Sequence, residues 1–200
     1  MFPLGLVHFP GVPLPLQVFE PRYQQLTADC LDGNREFGVV LIERGSEVGG
    51  GDARFDIGTI TTIVNARFND LGLIHLDTLG VRRVRIARWL EDDPYPRAEV
   101  EDLPPPLMGD EEMAAMVNVE RKVRRALAWH AELVEPAAPH NIAVDGDPTV
   151  AIFQLAAIAP LGPVDHQRLL AAVQPAELLA HLDHFMTEHL DVLASRLAGH

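Results

Sequence analysis

Four groups of side chains have the types and spacing for chemistry. His181 and His184 lie three apart with Glu188 four further on, so a helix would bring two imidazoles and a carboxylate to one face, where a divalent metal could bind. In a histidine-rich tail the same spacing arises by coincidence, and the expectation is a titrating solvent face with no metal. Glu20, Arg22 and Tyr23 offer a carboxylate, a guanidinium and a phenol at a helix start. They read as an ion pair and cap, with direct contact to a bound chain as the alternative. In VRRVRI at 81–86, strand alternation sends Val84 and Ile86 inward and Arg83 and Arg85 outward, toward acidic neighbours, an acidic peptide or RNA phosphates. Glu43, Asp56 and Asp77 are candidate acid and base groups, but nothing in their spacing brings them within hydrogen-bond reach, so no enzymatic site follows.

Scarcity excludes more than abundance suggests. Lys122 is the only lysine and follows Arg121, so the phosphate-binding pattern G-x-x-x-x-G-K-[ST] occurs nowhere. Ser46 and Ser195 are the only serines, and neither stands in a G-x-S-x-G nucleophile turn. A serine–lysine dyad would need Lys122, which Arg121, Arg124 and Arg125 mark as part of a solvated helix face. The lone Cys30 can form neither an internal disulfide nor a thiolate zinc cluster, which suits a reducing cytoplasm. No cofactor is expected. Sixteen basic against 29 acidic residues give a formal charge of -13, which repels phosphate backbones and makes nucleic acid an unfavoured partner.

These residues need elements to hold them. The chain of 200 residues is 48% apolar, enough for one large core or two small ones. The apolar amino terminus lacks a basic leading region and carries Pro3, Pro10, Pro13 and Pro15, so it does not read as a signal helix. No later stretch reaches the roughly 18 apolar residues of a membrane span. The period then changes near Pro104-Pro105-Pro106. Before it, runs rich in Val, Ile, Thr and Phe predict strands at 37–43, 55–65, 73–77, 81–89 and 97–103, with turns at 49–52 and after Asn69. One helix interrupts them at 21–31, opened by Pro21 and stopped at Gly33. After it, helices are expected from an Asp110 cap to about 134, from Asp147-Pro148 to Pro160, from Asp165 to 173, and over 175–197. The first of these would bury Met113, Met116, Val123, Leu127 and Val134, and the last Leu178, Leu182, Phe185, Leu193 and Leu197. The expectation is an α+β chain with a β subdomain at 1–107 and a helical bundle at 108–200.

Five blocks resemble the amino-terminal domain of the Lon protease family: FPLGLVHFPGVPLPLQVFEPRY at 2–23, FGVVLIERG at 37–45, IGTITTI at 57–63, LGVRRVRIARWLEDDPYPRAEVEDL at 79–103 and LAAIAPLGPVDHQRLL at 155–170. They cover nearly the whole chain, in the family's order. The resemblance implies a PUA-like β-pseudobarrel followed by helices. In that family the domain precedes ATPase and peptidase domains and takes part in polypeptide recognition and hexamer assembly. A chain ending at His200 without those domains is expected to be a stand-alone, non-catalytic member. A related ubiquitin-ligase receptor appends a zinc module that needs several cysteines, and this chain has one.

The implied partners are unfolded or flexible polypeptides and a Lon-type or other AAA+ protease, with the chain as adaptor. An RNA-binding PUA-like module is the alternative, and a pocket enzyme a third. FPGVPLPLQVF either forms a first strand covering the barrel or leaves Val12 and Leu14 exposed as an apolar patch for an extended peptide. The expected peptide-binding set is Val12, Leu14, Glu20, Arg22, Tyr23, Arg83 and Arg85, beside an apolar groove where barrel meets bundle. Binding would be by strand addition or by groove insertion.

Overall fold

A computed structural model describes residues 1–45, 53–70, 72–133 and 143–197. Six strands and one helix come first: β1 (Phe2–Leu4), β2 (Pro13–Val18), α1 (Pro21–Asp32), β3 (Glu36–Arg44), β4 (Ala53–Phe68), β5 (Ile74–Trp89) and β6 (Ala98–Asp102). Four helices follow: α2 (Asp110–Leu133), α3 (Pro148–Ile158), α4 (Pro163–Ala171) and α5 (Pro175–Leu197). The chain divides into two compact units, Met1–Pro105 and Pro106–His200. No helix among the described residues is long and apolar enough to cross a membrane.

The strands form one mixed sheet in the order β1-β3-β4-β5-β2, with β1 parallel to β3 and the remaining pairs antiparallel. β2 pairs with residues 74–79 of β5 and β6 with residues 84–89, so these two strands share one edge of β5 end to end. Register shifts in the β4–β5 pair, at Ile60/Thr61 and Ile63/Asn65, bend the long hairpin and help curl the sheet into a half-barrel. The concave side buries Phe2, Leu16, Val18, Ile63 and Leu76 together with Tyr23 and Leu26 of α1.

The sequence expectation of two strands at 73–77 and 81–89 is corrected to the single strand β5. The glycine between them is a site of close approach and makes no turn: a Cβ on Gly80 would collide with the carbonyl of Phe9. Arg83 is corrected too. Register leaves Val81 unpaired between Gly80 and Arg82, a bulge in the strand. Arg83 lies opposite Thr59 and is buried beside the chain that leaves β6: the Leu103 N–H donates to its carbonyl, and its guanidinium donates to the Pro104 carbonyl at 3.3 Å. Val84 and Ile86 are buried as expected, and Arg85 is exposed. The cross-strand ion pair belongs to Arg82, which reaches Glu36 at 2.9 Å and Asp102 at 3.0 Å.

Pro21 stands in the first turn of α1, and the Gly33 N–H closes the last turn on the Cys30 carbonyl. The left-handed residue there is Arg35 (φ 65°), whose own N–H also reaches Cys30 at 2.8 Å. In the second unit, the α2 stripe is Val119, Val123, Ala126 and Leu127, all buried. Met113, expected inside, is exposed, because at about 100° per residue it lies well off the stripe of Val119, Val123 and Leu127; Val134 falls outside the described residues. The helix opens at Gly109, not at an Asp110 cap, with Glu112 folding back to accept the Gly109 N–H at 3.0 Å. Asp147 caps α3 through Thr149 N, as its sequence suggests. α4 starts at Pro163, two residues before the expected Asp165, because proline's fixed φ suits the first helical position. Along α5, Leu178, Leu182 and Leu193 are buried with Leu179 and Met186, while Phe185 and Leu197 are half-buried.

Candidate binding groove

β1 and β2 end the sheet path, so among the described residues each keeps one edge unpaired with another strand. Residues of both strands and of the α1 start line a concavity of about 230 Å³: Phe2, Leu4 and Leu6, then Leu14 and Leu16, then Phe19, Glu20 and Tyr23. Phe2 stacks on Tyr23, with ring centroids 4.1 Å apart and planes 10° from parallel. The Arg22 guanidinium sits 4.5 Å from the Tyr23 centroid and 3.1 Å from the Glu20 carboxylate. At the rim, Leu6 is 41% and Phe19 60% exposed.

The strap joining β1 to β2 crosses the sheet and fixes the groove walls. His8 is buried, its Nε2 3.2 Å from Thr61 Oγ1, while Thr59 Oγ1 donates to the His8 carbonyl at 2.6 Å. Gly11 N–H donates to Gly80 O and Gly80 N–H to Val12 O. Burial pushes the His8 imidazole down to about 4, so near neutral pH it is an uncharged hydrogen-bonding group.

Of the expected peptide-binding residues, Leu14, Glu20 and Tyr23 line this groove and Arg22 adjoins it through its two contacts. Val12 is half-buried and outside the lining, and Arg83 and Arg85 lie elsewhere on β5. Sequence reasoning missed Phe2, Leu4, Leu6 and Phe19. A signal for Phe19 existed: Leu16 and Val18 face the core, so alternation turns an aromatic side chain at 19 toward solvent.

The other candidate chemistry disperses. His184 pairs with Glu188 at 3.5 Å, whereas His181 is half-buried beside Phe185 and departs from the expected solvent face. Among the described residues no group of three or more His, Cys, Asp or Glu side chains could hold a metal. Asp77 is held below the usual carboxylate range by the Arg67 guanidinium, at 2.7 Å, and by Asn65, and the exposed Glu43 and Asp56 do not join it. Lys122 Nζ lies 2.7 Å from Asp183 and Ser195 donates to the Asp191 carbonyl; Ser46 and the turn at 49–52 fall outside the described residues.

The fold, a curled mixed sheet followed by helices, is that of solved Lon amino-terminal domains. The N-terminal domain of the Lon protease from the Mycobacterium avium complex superposes with a TM-score of 0.67 at 18% identity, over 94% of this chain and 97% of that one. The Lon N-terminal domain protein from Xanthomonas campestris gives 0.62 at 23% identity, over 93% and 95%. The chain belongs to the family of the ATP-dependent protease La (LON) substrate-binding domain, whose profile matches residues 1–188. Its relatives include the Lon protease of Dictyoglomus thermophilum, 25% identical over 94% of this chain but only 24% of that protein. The Lon protease of Desulfosudis oleivorans is 27% identical over 68% of the chain and 16% of the relative. The chain thus spans about a quarter of the length of the first of these curated relatives and corresponds to their substrate-binding portion. The resemblance read from the five sequence blocks, and the α+β order it implied, are borne out.

Proposed function

We propose that the chain holds flexible or unfolded polypeptide segments in the groove between β1 and β2, without cutting them, and presents them to a Lon-type or other AAA+ protease. The observation that carries this reading is an apolar concavity rimmed by exposed Leu6 and Phe19 within a family defined by substrate binding. About 230 Å³ suits one large apolar side chain, and the absence of deep polar fixtures suits tolerance of many sequences.

Insertion of side chains is favoured over strand addition. Pro13 and Pro15 stand two apart on β2 and remove two backbone donors from the same edge, and Pro3 removes one from β1. A client therefore meets few main-chain donors and is held through its side chains, with dissociation constants of roughly micromolar or weaker. RNA binding has less support, because Arg83 is buried and Arg82 is engaged by Glu36 and Asp102.

Titrating the chain into a fluorescently labelled, permanently unfolded polypeptide tests the proposal. We expect saturable binding that survives molar salt, an intact client after prolonged incubation, and at least about tenfold weaker binding by a Leu6→Ser/Phe19→Ser variant of unchanged melting temperature. Wild-type affinity in that variant would remove the groove from the account, and cleavage of the client that tracks the purified chain would remove the holding role.

A further inference from the structure

We propose that the groove between α2 and α5 is a second docking site, which takes a cationic amphipathic helix of a partner protein. The two helices run parallel: Lys122 meets Asp183 and Thr187, and His130 stacks on His189 further along. Their amino-terminal halves enclose a concavity of about 460 Å³, twice the volume of the groove at the sheet seam. Its floor is apolar and low. Val119 and Leu179 are buried beneath it, and Ala115, Ala176 and Ala180 offer no side chain long enough to keep a second backbone away.

The occupant's secondary structure follows from hydrogen bonding. Beyond their first turns, the flanks of the two helices present no unpaired backbone donors or acceptors, so an extended chain lying along them would leave most of its own amides without protein partners. A helix brings its main-chain bonds with it and needs only an apolar stripe. Residues 111–122 span about 17 Å along α2, which matches about three helical turns.

Charge selects the occupant's polar residues. Glu111, Glu112, Asp183 and Asn118 form the walls, and among the described residues no lysine, arginine or histidine lines the concavity. Lys122 is engaged by Asp183 and Thr187, and Arg121 donates to Asn118 at 3.2 Å. Among the described residues Glu111 has no ion-pair partner, and Glu112 accepts only the Gly109 N–H, so the mouth keeps carboxylates that no local cation neutralises. Because α2 and α5 are parallel, their dipoles favour an occupant running antiparallel to both. Its carboxyl end would then lie at Glu111 and Glu112, where lysine or arginine in its last turn also complements its own dipole. This site lies wholly within the second unit and does not depend on the peptide-holding role of the first.

The test uses the full chain and a 16-residue helical probe with a leucine and alanine stripe and arginines in its last turn, beside a counterpart with glutamate for arginine. We expect amide chemical-shift changes confined to the amino-terminal halves of α2 and α5, and at least about tenfold tighter binding of the arginine probe at low salt. Ala180→Trp should fill the groove and weaken binding about tenfold or more. Glu111→Lys, at an exposed position with no partner to lose, should weaken it about fivefold even if the tryptophan variant fails to fold. Leu6→Ser/Phe19→Ser should change neither number. Equal affinity for the two probes, shifts centred on the sheet seam, or self-association of the chain that Ala180→Trp abolishes would each overturn the proposal.

Discussion

At the scale of single residues, His8 and Gly80 hold the strap across the sheet, and each makes a testable demand. The folded imidazole titrates at about 4 against the ordinary value of 6.5, because burial disfavours its charged form. Between these values the unfolded chain binds the proton and the folded chain does not, so stability is full above pH 6.5 and declines as pH falls toward 4. The decline from this group amounts to about 3 kcal/mol, and denaturant titrations of wild type and His8→Gln should show it only in the wild type. A slope of the same size in both proteins would clear His8. Gly80→Ala drives a methyl into the Phe9 carbonyl, backbone against backbone, and should cost about 2 kcal/mol or more by the same measurement. A neutral Gly80→Ala would mean that the strap does not press on β5.

At the scale of elements, the prolines of β2 resolve a conflict. An edge strand beside an apolar groove is a template for pairing with other chains, and Pro13 and Pro15 withdraw the donors such pairing needs. Replacing both by threonine restores two N–H groups in a residue that favours strands. We expect light scattering to report concentration-dependent association that the wild type lacks, with little change in near-neutral fold by circular dichroism. If the double variant stays dispersed at the highest concentrations, the edge is protected by something other than proline. The same prolines fix φ along a strand already paired with β5, so the wall of the groove is set before any client arrives.

At the scale of the whole molecule, two concavities of different character lie in two units. The seam groove is apolar with its one ion pair internally satisfied, whereas the α2–α5 groove is rimmed by carboxylates in a chain of formal charge -13. Salt should separate them. Raising ionic strength from 50 mM to 1 M is expected to leave binding of an unfolded client at the seam within about twofold, because area burial is little screened, and to weaken the arginine probe about tenfold or more. Parallel loss of both would indicate one shared electrostatic surface. Parallel persistence would indicate that the carboxylate rim contributes nothing.

The sequence alone determined the switch from strands to helices and the family. Composition switches at Pro104-Pro105-Pro106, prolines open helices at Pro21, Pro148 and Pro175, and the motif blocks run through nearly all of the chain, because these signals depend on neighbours a few residues apart. Three residues the sequence offered for peptide binding, Leu14, Glu20 and Tyr23, line the seam groove where the holding role is proposed. Tertiary structure decided everything that requires two distant segments to meet. The burial of Arg83 depends on where residues 103–104 pass beside it, and the reading of Gly80 as a contact depends on where Phe9 passes over it. Leu6 and Phe19 form one rim because β1 and β2 end the curled sheet on either side of a shared seam. Local periodicity carries no record of register or of which edges are left open. Those are fixed only when the strands pair, since shifting a pleated strand by one residue reverses every face it presents.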